Sequence, residues 1–510
     1  MLAKITSGAT VGLNATLVDV EVDVAEQGLP SLTIVGLPDK AVEESRERVR
    51  SALKNTGADF PTTRITVNLA PADLPKVGPA YDLPIALGIL IASGQIRPEV
   101  TDSLFFGELS LDGSLRHTNG ILPMAYLARE KKFKNVFVPK VNKREASVVP
   151  GIKVYPVESL LELIRFFSGT YDIKPAKKIS LSTLLKTADA EFDFSEIIGQ
   201  EQAKRAMEIA VAGNHNIFMQ GTPGSGKTML ARAVPGILPT LTPDEALEVT
   251  KIYSITGNLA AGQSIVTSRP FRSPHHTTSR IGLIGGGSNP APGEISLAHR
   301  GVLFLDEFPE FPRHVLESLR QPMEDGEVTI SRAKGTVTYH AQFLLVSASN
   351  PCPCGYYGDP KRACTCLPGA ISRYQKRVSG PILDRIDIHV EVPSVEMQKL
   401  IGKSERKSES SKEIQKKVQK ARNIQLKRFK GTKLKSNSEM ATKGVKKYCP
   451  LSNECLAMLR SAVATMNITA RSYFKVIKVA RTIADLAGEK QISTSHLAEA
   501  LQYRPKDNEL

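Results

Sequence analysis

The spacing of apolar residues predicts an α/β domain at the start of the chain. Residues 13–24 alternate apolar and polar side chains, as a strand with one buried face does. Residues 31–35 and 64–69 repeat the strand pattern, whereas residues 40–55 carry a charged amphipathic pattern that predicts one helix. We therefore predict a compact α/β domain over residues 1–167.

The pattern changes twice after this domain. Residues 168–193 contain glycine, proline and several lysines without clear periodicity, which is typical of a linker. Residues 194–392 contain a short apolar strand, Ile217-Phe218-Met219, followed by a glycine-rich loop. Residues 393–510 are helical in pattern, with N-caps expected at Thr469 and Ser493, and we predict an α-helical lid there. The predicted helices of the lid are 411–429, 454–466, 470–486 and 493–501.

The glycine-rich loop after the strand has the spacing G-x-x-x-x-G-K-[ST], the pattern of a phosphate-binding loop. Its glycines let backbone N–H groups converge on phosphate oxygens, and a helix beginning near Lys227 directs its positive dipole end at the same anion. We expect Lys227 to bind the β- and γ-phosphates of ATP and Thr228 to bind Mg²⁺. The candidate nucleotide-binding residues are Gly221, Thr222, Pro223, Gly224, Ser225, Gly226, Lys227 and Thr228.

A second apolar run, residues 302–305, ends at two adjacent carboxylates. Asp306 is expected to complete the Mg²⁺ site from the end of this strand, and Glu307 is the candidate base for the attacking water. The ordered pair of motifs predicts a nucleoside-triphosphate hydrolase.

The net charge of +15 favours a polyanionic partner. Residues 403–447 hold much of that charge, with 13 lysines and three arginines against four glutamates. Two explanations stay open, a solvated helix face with a loop or a contact with nucleic acid. No apolar run reaches the roughly 18 residues of a membrane span, and the amino terminus lacks a signal-peptide pattern, so we expect a cytoplasmic protein without a membrane partner.

Four of the six cysteines form two C-x-C pairs separated by nine residues. Disulfides are unexpected in a cytosolic enzyme, and two close pairs across a loop rich in glycine and proline suit four thiolates around a structural Zn²⁺. Free or redox-active thiols are the alternative, and Cys449 and Cys455 are expected to be packing residues. The candidate zinc ligands are Cys352, Cys354, Cys364 and Cys366.

The order of several short motifs resembles the AAA+ ATPases of the magnesium-chelatase-like group. These motifs are residues 198–200 (Ile-Gly-Gln), the phosphate loop, the two carboxylates at 306–307, and residues 347–350, 380–387 and 469–473. Over nearly its whole length, the chain is similar to the ComM (YifB) family of bacterial competence proteins. The resemblance implies a central AAA+ core with a parallel sheet and assembly into a homo-hexameric ring.

The same resemblance implies roles for individual residues. Ile198 would contact the nucleotide, and Asn350 matches sensor 1, which orients the attacking water near the γ-phosphate. Arg385 matches the arginine finger that reaches into the site of the neighbouring subunit, with Arg373 as the competing candidate. Arg471 matches sensor 2 in the helical lid.

Two insertions are similar to those of this group. Residues 270–287 resemble a helix-2 insert, and the adjacent His275 and His276 there lack a third metal ligand nearby. Residues 326–339 alternate apolar side chains on both sides of Ala-Lys-Gly, which predicts a β-hairpin with Arg332 and Lys334 at its tip. In a ring, such a tip would contact a DNA strand in the pore through its positive charge, and an ordinary surface hairpin is the alternative.

The amino-terminal domain resembles the Lon protease domain at residues 75–87 and 107–113. The positions of the Lon nucleophile and catalytic lysine hold Ala80 and Leu122, and neither side chain can attack a carbonyl or accept a proton. We therefore expect an inactive domain of this fold. A weak basic cluster there consists of Arg46, Arg48, Arg50 and Lys76.

The family resemblance implies an ATP-dependent DNA motor, a helicase or branch-migration factor that promotes integration of single-stranded DNA during natural transformation and recombination. The expected partners are single-stranded or branched DNA, further copies of the chain and recombination proteins. The alternative is a chelatase-like or MoxR-like ATPase that remodels a protein partner.

Overall fold

The computed structural model describes residues 1–505 except Pro75, 260–264, 288–289, 333–334, 395–408 and Asn467. The chain divides into two compact units. Unit 1 consists of Met1–Leu184 and Ala246–Val266, and unit 2 consists of Leu185–Glu245 and Thr267–Leu510. Both units mix helices and strands, so the predicted α/β class is confirmed.

The largest sheet of unit 1 has the order β1-β2-β4-β3, in which only the β3–β4 pair is parallel. A parallel sheet of order β5-β8-β9 and a short β6–β7 pair complete the strands of this unit. The bounds are β1 Leu2–Val11, β2 Asn14–Val24, β3 Ser31–Val35, β4 Arg64–Ala70, β5 Ser103–Phe105, β6 Glu108–Leu109, β7 Leu115–Arg116, β8 Asn135–Pro139 and β9 Lys153–Val157.

The predicted helix over residues 40–55 is two helices, because the carbonyl of Ala41 accepts a hydrogen bond from the side chain of Arg48 at 2.9 Å. Residues 246–266, which the sequence analysis left in the ATPase core, belong to unit 1, where Ile265 is buried in an apolar cluster. The helices of this unit are α1 Lys40–Glu43, α2 Ser45–Asn55, α3 Asp82–Ala92, α4 Ile121–Glu130, α5 Lys143–Ala146 and α6 Leu160–Phe167.

Unit 2 is built on a parallel sheet of five strands in the order β11-β14-β17-β10-β18. The side chains of β14 and β17 are buried along their whole length, as expected for parallel strands covered on both faces. The bounds are β10 Ile217–Gly221, β11 Phe271–Arg272, β14 Val302–Leu305, β17 Leu344–Ser349 and β18 Ile388–Val392. Two antiparallel pairs lie outside this sheet, β12 Gly285–Gly286 with β13 Ala291–Pro292 and β15 Glu327–Arg332 with β16 Gly335–His340.

The helices of the central segment lie between residues 201 and 383, and the helix that begins at Pro243 crosses from unit 2 into unit 1 at Ala246. They are α7 Glu201–Gly213, α8 Lys227–Ala233, α9 Pro243–Thr256, α10 Arg280–Ile284, α11 Glu294–Leu297, α12 Arg313–Glu317, α13 Arg320–Asp325, α14 Pro368–Gln375 and α15 Gly380–Leu383.

The carboxy-terminal segment is helical, as predicted, and it shares one hydrophobic core with the parallel sheet. Thr469 and Ser493 stand at the predicted N-caps, and the helix Thr442–Tyr448 was not predicted. The other helices are Ser411–Arg428, Asn453–Met466, Ala470–Ala487 and Thr494–Gln502. Among the helices that the structure describes, none has the length and apolar character that crossing a membrane requires.

Candidate active site

The phosphate loop connects β10 to α8, and its geometry follows from the sheet. Strand β10 pairs in parallel with β17 and β18, so the loop leaves the carboxyl edge of the sheet, the edge at which β14 and β17 also end. Gly226 has a φ of +92° and forms the N-cap of α8, a left-handed conformation that L side chains rarely adopt. The sequence spacing therefore places Lys227 at the first helical position, as predicted.

Lys227 lies inside the loop rather than in solvent. Its Nζ donates to the carbonyl oxygens of Gly221 at 2.7 Å and Thr222 at 2.9 Å, and to Oδ1 of Asn350 at 3.3 Å. Burial lowers the pKa of Lys227 to about 8. A buried ammonium beside the sensor 1 candidate is suited to an anion that brings its own negative charge.

The predicted Mg²⁺ ligands are adjacent. Thr228 Oγ1 donates to Oδ2 of Asp306 at 2.8 Å, which joins the end of β14 to the start of α8. The hydroxyl of Thr222 is buried and has no hydrogen-bond partner among the described residues. An unsatisfied donor in the loop, together with the Thr228–Asp306 oxygens that Mg²⁺ prefers, fits a magnesium nucleotide.

Glu307 presents the candidate base in a strained conformation. Its φ is +49°, and its backbone N–H donates to Oδ1 of Asp306 at 2.9 Å. The side chain is 53% exposed, and its Oε2 lies 3.2 Å from Nδ1 of His276. This contact was not predicted from the sequence, in which His276 suggested only a metal ligand; the Pro-His-His run in the insertion was the available signal.

The motif at residues 198–200 adjoins the phosphate loop. The side chain of Gln200 donates to the carbonyl oxygens of Ser225 at 3.0 Å and Pro393 at 2.5 Å. The side chain of Ile198 is 42% exposed, although it is a large apolar group. An exposed apolar side chain held beside the loop is consistent with the nucleotide contact expected for Ile198.

The two arginines expected to sense or stabilise the γ-phosphate lie together, and no described contact links either one to Lys227. Arg385 Nη2 is 2.7 Å from Oε1 of Glu324, and the same oxygen accepts a hydrogen bond from Arg471. Arg471 also pairs with Asp384 at 3.2 Å. The competing finger candidate, Arg373, is exposed and donates to the carbonyl of Gly369 at 3.2 Å.

The four cysteines of residues 352–366 converge, as the sequence predicted. The Sγ–Sγ distances among Cys352, Cys354 and Cys364 are 3.3, 3.5 and 3.7 Å, and all four ligand atoms, including that of Cys366, lie within 4.8 Å of one another. Four thiolates at about 2.3 Å from a tetrahedral Zn²⁺ are about 3.8 Å apart. The backbone N–H of Tyr356 helps to lower the pKa of Cys354 to about 5, which favours a thiolate. The group is therefore able to hold a metal ion.

This cysteine loop packs directly against the phosphate loop. Gly355 has a φ of +85°, and a Cβ added there would lie 2.5 Å from Cγ of Pro223. Only glycine fits this close approach. The position of the cysteine loop therefore affects the loop that holds the phosphates.

The structure confirms the predicted hairpin, in which Arg332 of β15 pairs with Gly335 of β16. Ala333 and Lys334 lie outside the described residues, so the proposed contact of Lys334 with DNA rests on sequence alone.

A charged groove in unit 2 was not predicted from the sequence. It has two parts that share Arg313, with volumes of about 670 and 600 Å³. Its two carboxylates, Glu317 and Glu310, pair with Arg320 at 3.1 Å and Arg377 at 2.6 Å. In the described part of the chain, no carboxylate oxygen lies within 4.0 Å of the charged atoms of four other cations. They are Arg280, Arg313, Arg373 and Lys376.

The basic segment at residues 403–447 divides into structural arginines and surface lysines, while residues 403–408 lie outside the described residues. Arg422 is buried and donates to the carbonyl of Val211 at 3.0 Å, and Arg428 pairs with Asp485 at 2.5 Å. Exposed lysines such as Lys416 and Lys420 remain on the helix surface. The two explanations of this charge, a solvated helix face with a loop and a contact with nucleic acid, therefore concern the lysines and not these two arginines.

The two positions that hold the catalytic residues in the Lon protease are occupied by packing residues in this chain. Ala80 and Leu122 are buried in the same apolar cluster of unit 1. The predicted basic cluster of this unit is not free to bind a partner as a whole, because Arg48 pairs with the buried carboxylate of Asp82 at 2.6 Å.

Known families match along almost the whole chain. The family described as "Magnesium chelatase, subunit ChlI" matches residues 193–400, and "Magnesium chelatase, subunit ChlI C-terminal" matches residues 408–504. The family described as "Subunit ChlI of Mg-chelatase" matches residues 20–142.

Among its relatives, the chain is 44% identical to competence protein ComM of Haemophilus influenzae over 506 residues, which is 99% of this chain and 97% of that protein. It is 41% identical to YifB of Escherichia coli over 508 residues, which is again 99% of this chain and 97% of that protein. Identity to the magnesium-chelatase 38 kDa subunit of Cereibacter sphaeroides is 27% over 181 residues, or 31% of this chain and 53% of that protein.

The sheet order and the phosphate loop define the class as a P-loop protein of the AAA+ type, as does the Asp-Glu pair at the end of β14. The chain belongs to the ComM (YifB) family of magnesium-chelatase-like AAA+ ATPases.

Proposed function

We propose that the protein is an ATP-driven DNA motor, a helicase or branch-migration factor that works as a homo-hexameric ring. Its role would be to promote integration of single-stranded DNA during natural transformation and recombination, in the cytoplasm and with other recombination proteins. The relative named competence protein ComM supports the biological setting. The observation that carries the DNA activity is the groove with four cations whose charged atoms have no carboxylate oxygen within 4.0 Å among the described residues.

The proposed hydrolysis of ATP uses residues of the phosphate loop and of the ends of β14 and β17. Lys227 and the loop N–H groups hold the phosphates, and Thr228 and Asp306 would hold Mg²⁺, which neutralises phosphate charge when bound. Glu307 accepts the proton of the attacking water, and Asn350 orients that water. We propose that Arg385, together with Arg471, acts on the nucleotide of the neighbouring subunit, because both are paired with Glu324 away from Lys227.

DNA would be held through its phosphates. Guanidinium and ammonium groups bind the backbone without reading the bases, which suits a motor that moves along any sequence. Within unit 2, the hairpin carrying Arg332 and Lys334 and the groove lined by Arg280 and Arg313 are the surfaces proposed for this contact.

The four cysteines are proposed to hold a structural Zn²⁺, because their four Sγ atoms lie within 4.8 Å of one another. All six cysteines are free thiols, which suits a reducing compartment. The bound metal would fix the loop that packs on Pro223.

The test is strand displacement on forked and four-way-junction DNA with ATP. Wild-type protein is expected to separate the strands, and Lys227→Ala and Glu307→Gln proteins are expected to bind DNA without separating it. If DNA does not change the rate of ATP turnover and no strands separate, the proposed motor function is contradicted and the remodelling of a protein partner is favoured. The similarity to a magnesium-chelatase subunit is the observation that favours this second candidate.

A further inference from the structure

One carboxylate joins the two arginines that the proposed function assigns to the neighbouring nucleotide. Oε1 of Glu324 lies 2.7 Å from Nη2 of Arg385 and also accepts from Arg471. Arg385 is nearly buried, with 11% of its side chain exposed, and its Nε has no hydrogen-bond partner among the described residues. Its Nη1 donates to the carbonyl of Pro381 at 2.6 Å, so Glu324 and this carbonyl together fix the orientation of the guanidinium.

The charges explain why a carboxylate is needed at this point. Two guanidinium groups in contact with a single oxygen repel each other, and only a negative charge between them offsets that repulsion. The hydrogen bond from Arg385 lowers the pKa of Glu324, so its carboxylate is ionised at neutral pH. A neutral side chain of the same shape would leave Arg385 without a carboxylate contact among the described residues, and Arg471 would keep its contact with Asp384.

Glu324 is also close in sequence to the hairpin proposed to contact DNA. Helix α13 ends at Asp325, Gly326 follows with a φ of +68°, and β15 begins at Glu327. Only two residues, Asp325 and Gly326, therefore separate the hairpin from the carboxylate that contacts both arginines.

We propose that Glu324 is a positioning residue that orients Arg385 and Arg471 for the neighbouring subunit and links their orientation to the hairpin. The proposal rests on the proposed function, in which these arginines act between subunits. Glu324 touches neither the phosphate loop nor Asp306 or Glu307 in any described contact, so it acts through the arginines.

The test is activity in mixed rings. Glu324→Gln protein alone is expected to lose at least about tenfold in kcat, because misplaced catalytic groups lose rate steeply. Its ATP affinity is expected to stay within about twofold, because its own Lys227 site is intact. Lys227→Ala protein alone is inactive but carries intact arginines. Mixing the two should restore activity, since in a ring assembled at random about a quarter of the interfaces combine an intact loop with intact arginines.

Two controls make the outcome decisive. Glu191→Gln removes a carboxylate from an exposed pair outside the groove, Glu191–Arg232 at 3.1 Å, and should keep kcat within about twofold. The pair Arg385→Ala and Lys227→Ala should also restore activity on mixing. If that pair restores activity and Glu324→Gln with Lys227→Ala does not, the role of Glu324 is wrong and the action of Arg385 between subunits stands.

If neither mixture is active, the proposal that Arg385 acts between subunits is wrong, and so is the proposed role of Glu324. The motor function is tested separately by strand displacement. A Glu324→Gln protein that keeps full kcat would also overturn the proposal. Should Glu324→Gln melt at a lower temperature than wild type, Arg471→Gln replaces it in the mixture, because it breaks the same contact from the other side and is expected to be rescued in the same way.

Discussion

A buried carboxylate of unit 1 and the buried lysine of the ATP site in unit 2 have opposite kinds of hydrogen-bond partner. In unit 1, Asp82 is buried and accepts hydrogen bonds from Ser45, from Arg48 at 2.6 Å and from the backbone of Leu109 at 3.1 Å. In unit 2, the buried Lys227 is held by carbonyl and amide oxygens, and the nearby hydroxyl of Thr222 has no partner among the described residues.

A second buried carboxylate of unit 1 is also held by hydrogen bonds from within that unit. Glu145 accepts from the N–H of Leu122 at 2.9 Å, from Asn142 at 3.0 Å and from Ser254 at 2.5 Å. Burial raises the pKa of both Asp82 and Glu145, and the hydrogen bonds oppose that rise. The buried carboxylates of unit 1 have charged or multiple donors inside the chain, whereas the hydrogen bonds of Lys227 go only to neutral oxygens, which suits an anionic ligand.

The largest effect on activity is expected when a side chain of the ATP site is removed. Glu307→Gln removes the proposed base and keeps its shape, so kcat should fall at least about 100-fold. The side chain is half exposed, so the melting temperature should stay within about 2 °C of wild type. Turnover at saturating ATP and a thermal melt check both points. A large drop in melting temperature would mean that the ATP site also maintains the fold, and the contrast between the units would be lost.

The complementary change is Asp82→Ala in unit 1. Leaving Arg48 without its buried partner should cost about 3 kcal/mol of unfolding free energy, while the kcat of the folded fraction stays within about twofold. Denaturant unfolding and turnover measure the two effects. The control is Asp102→Ala, which removes an exposed partner of Lys134 at 2.5 Å and should cost less than about 1 kcal/mol. Equal losses of unfolding free energy in both variants would show that the burial of Asp82 does not add to the stability that its pair with Arg48 provides.

The cysteine loop is expected to show an intermediate effect, because it serves the fold and also touches Pro223. Cys364→Ser should lower bound zinc and reduce kcat by about tenfold through the phosphate loop. Elemental analysis and turnover are the measurements, with Cys449→Ala as a cysteine outside the group. Less than about half a zinc per wild-type chain after gentle purification would contradict the metal site.

The smallest effect concerns the pH dependence of ATP binding. The pKa of Lys227 is lowered to about 8, so its ammonium loses its proton as pH rises through that value, and bound phosphate favours the charged form. The dissociation constant for ATP should therefore rise about fivefold between pH 8 and pH 9. Titrations with Lys227→Arg, whose guanidinium stays charged, should be flat over this range. An equal slope in that variant would assign the effect to another group.

The parts of the site that the sequence predicted are those encoded by local motifs. The strand, the loop and Lys227 are adjacent in the chain, and Asp306 and Glu307 directly follow an apolar run, so spacing alone indicated their chemistry. The cysteines were predictable for the same reason, because each C-x-C pair brings two ligands together before the fold does.

The parts that could not be predicted depend on contacts between residues distant in sequence. Arg48 and Asp82 are 34 residues apart, and Glu324 and Arg471 are 147 apart. No periodicity in the segment from Ala246 to Val266 shows which unit it will pack against, because an amphipathic pattern identifies a buried face and not the surface that covers it.

The left-handed backbone of Glu307 has a consequence for directed evolution. Only six described residues other than glycine have a positive φ, and two of them, Gln200 and Glu307, adjoin the ATP site. A side chain in this conformation costs on the order of 1 kcal/mol, which glycine avoids. A library selected only for thermal tolerance should therefore enrich Glu307→Gly, and its winners would be the variants that no longer turn over ATP.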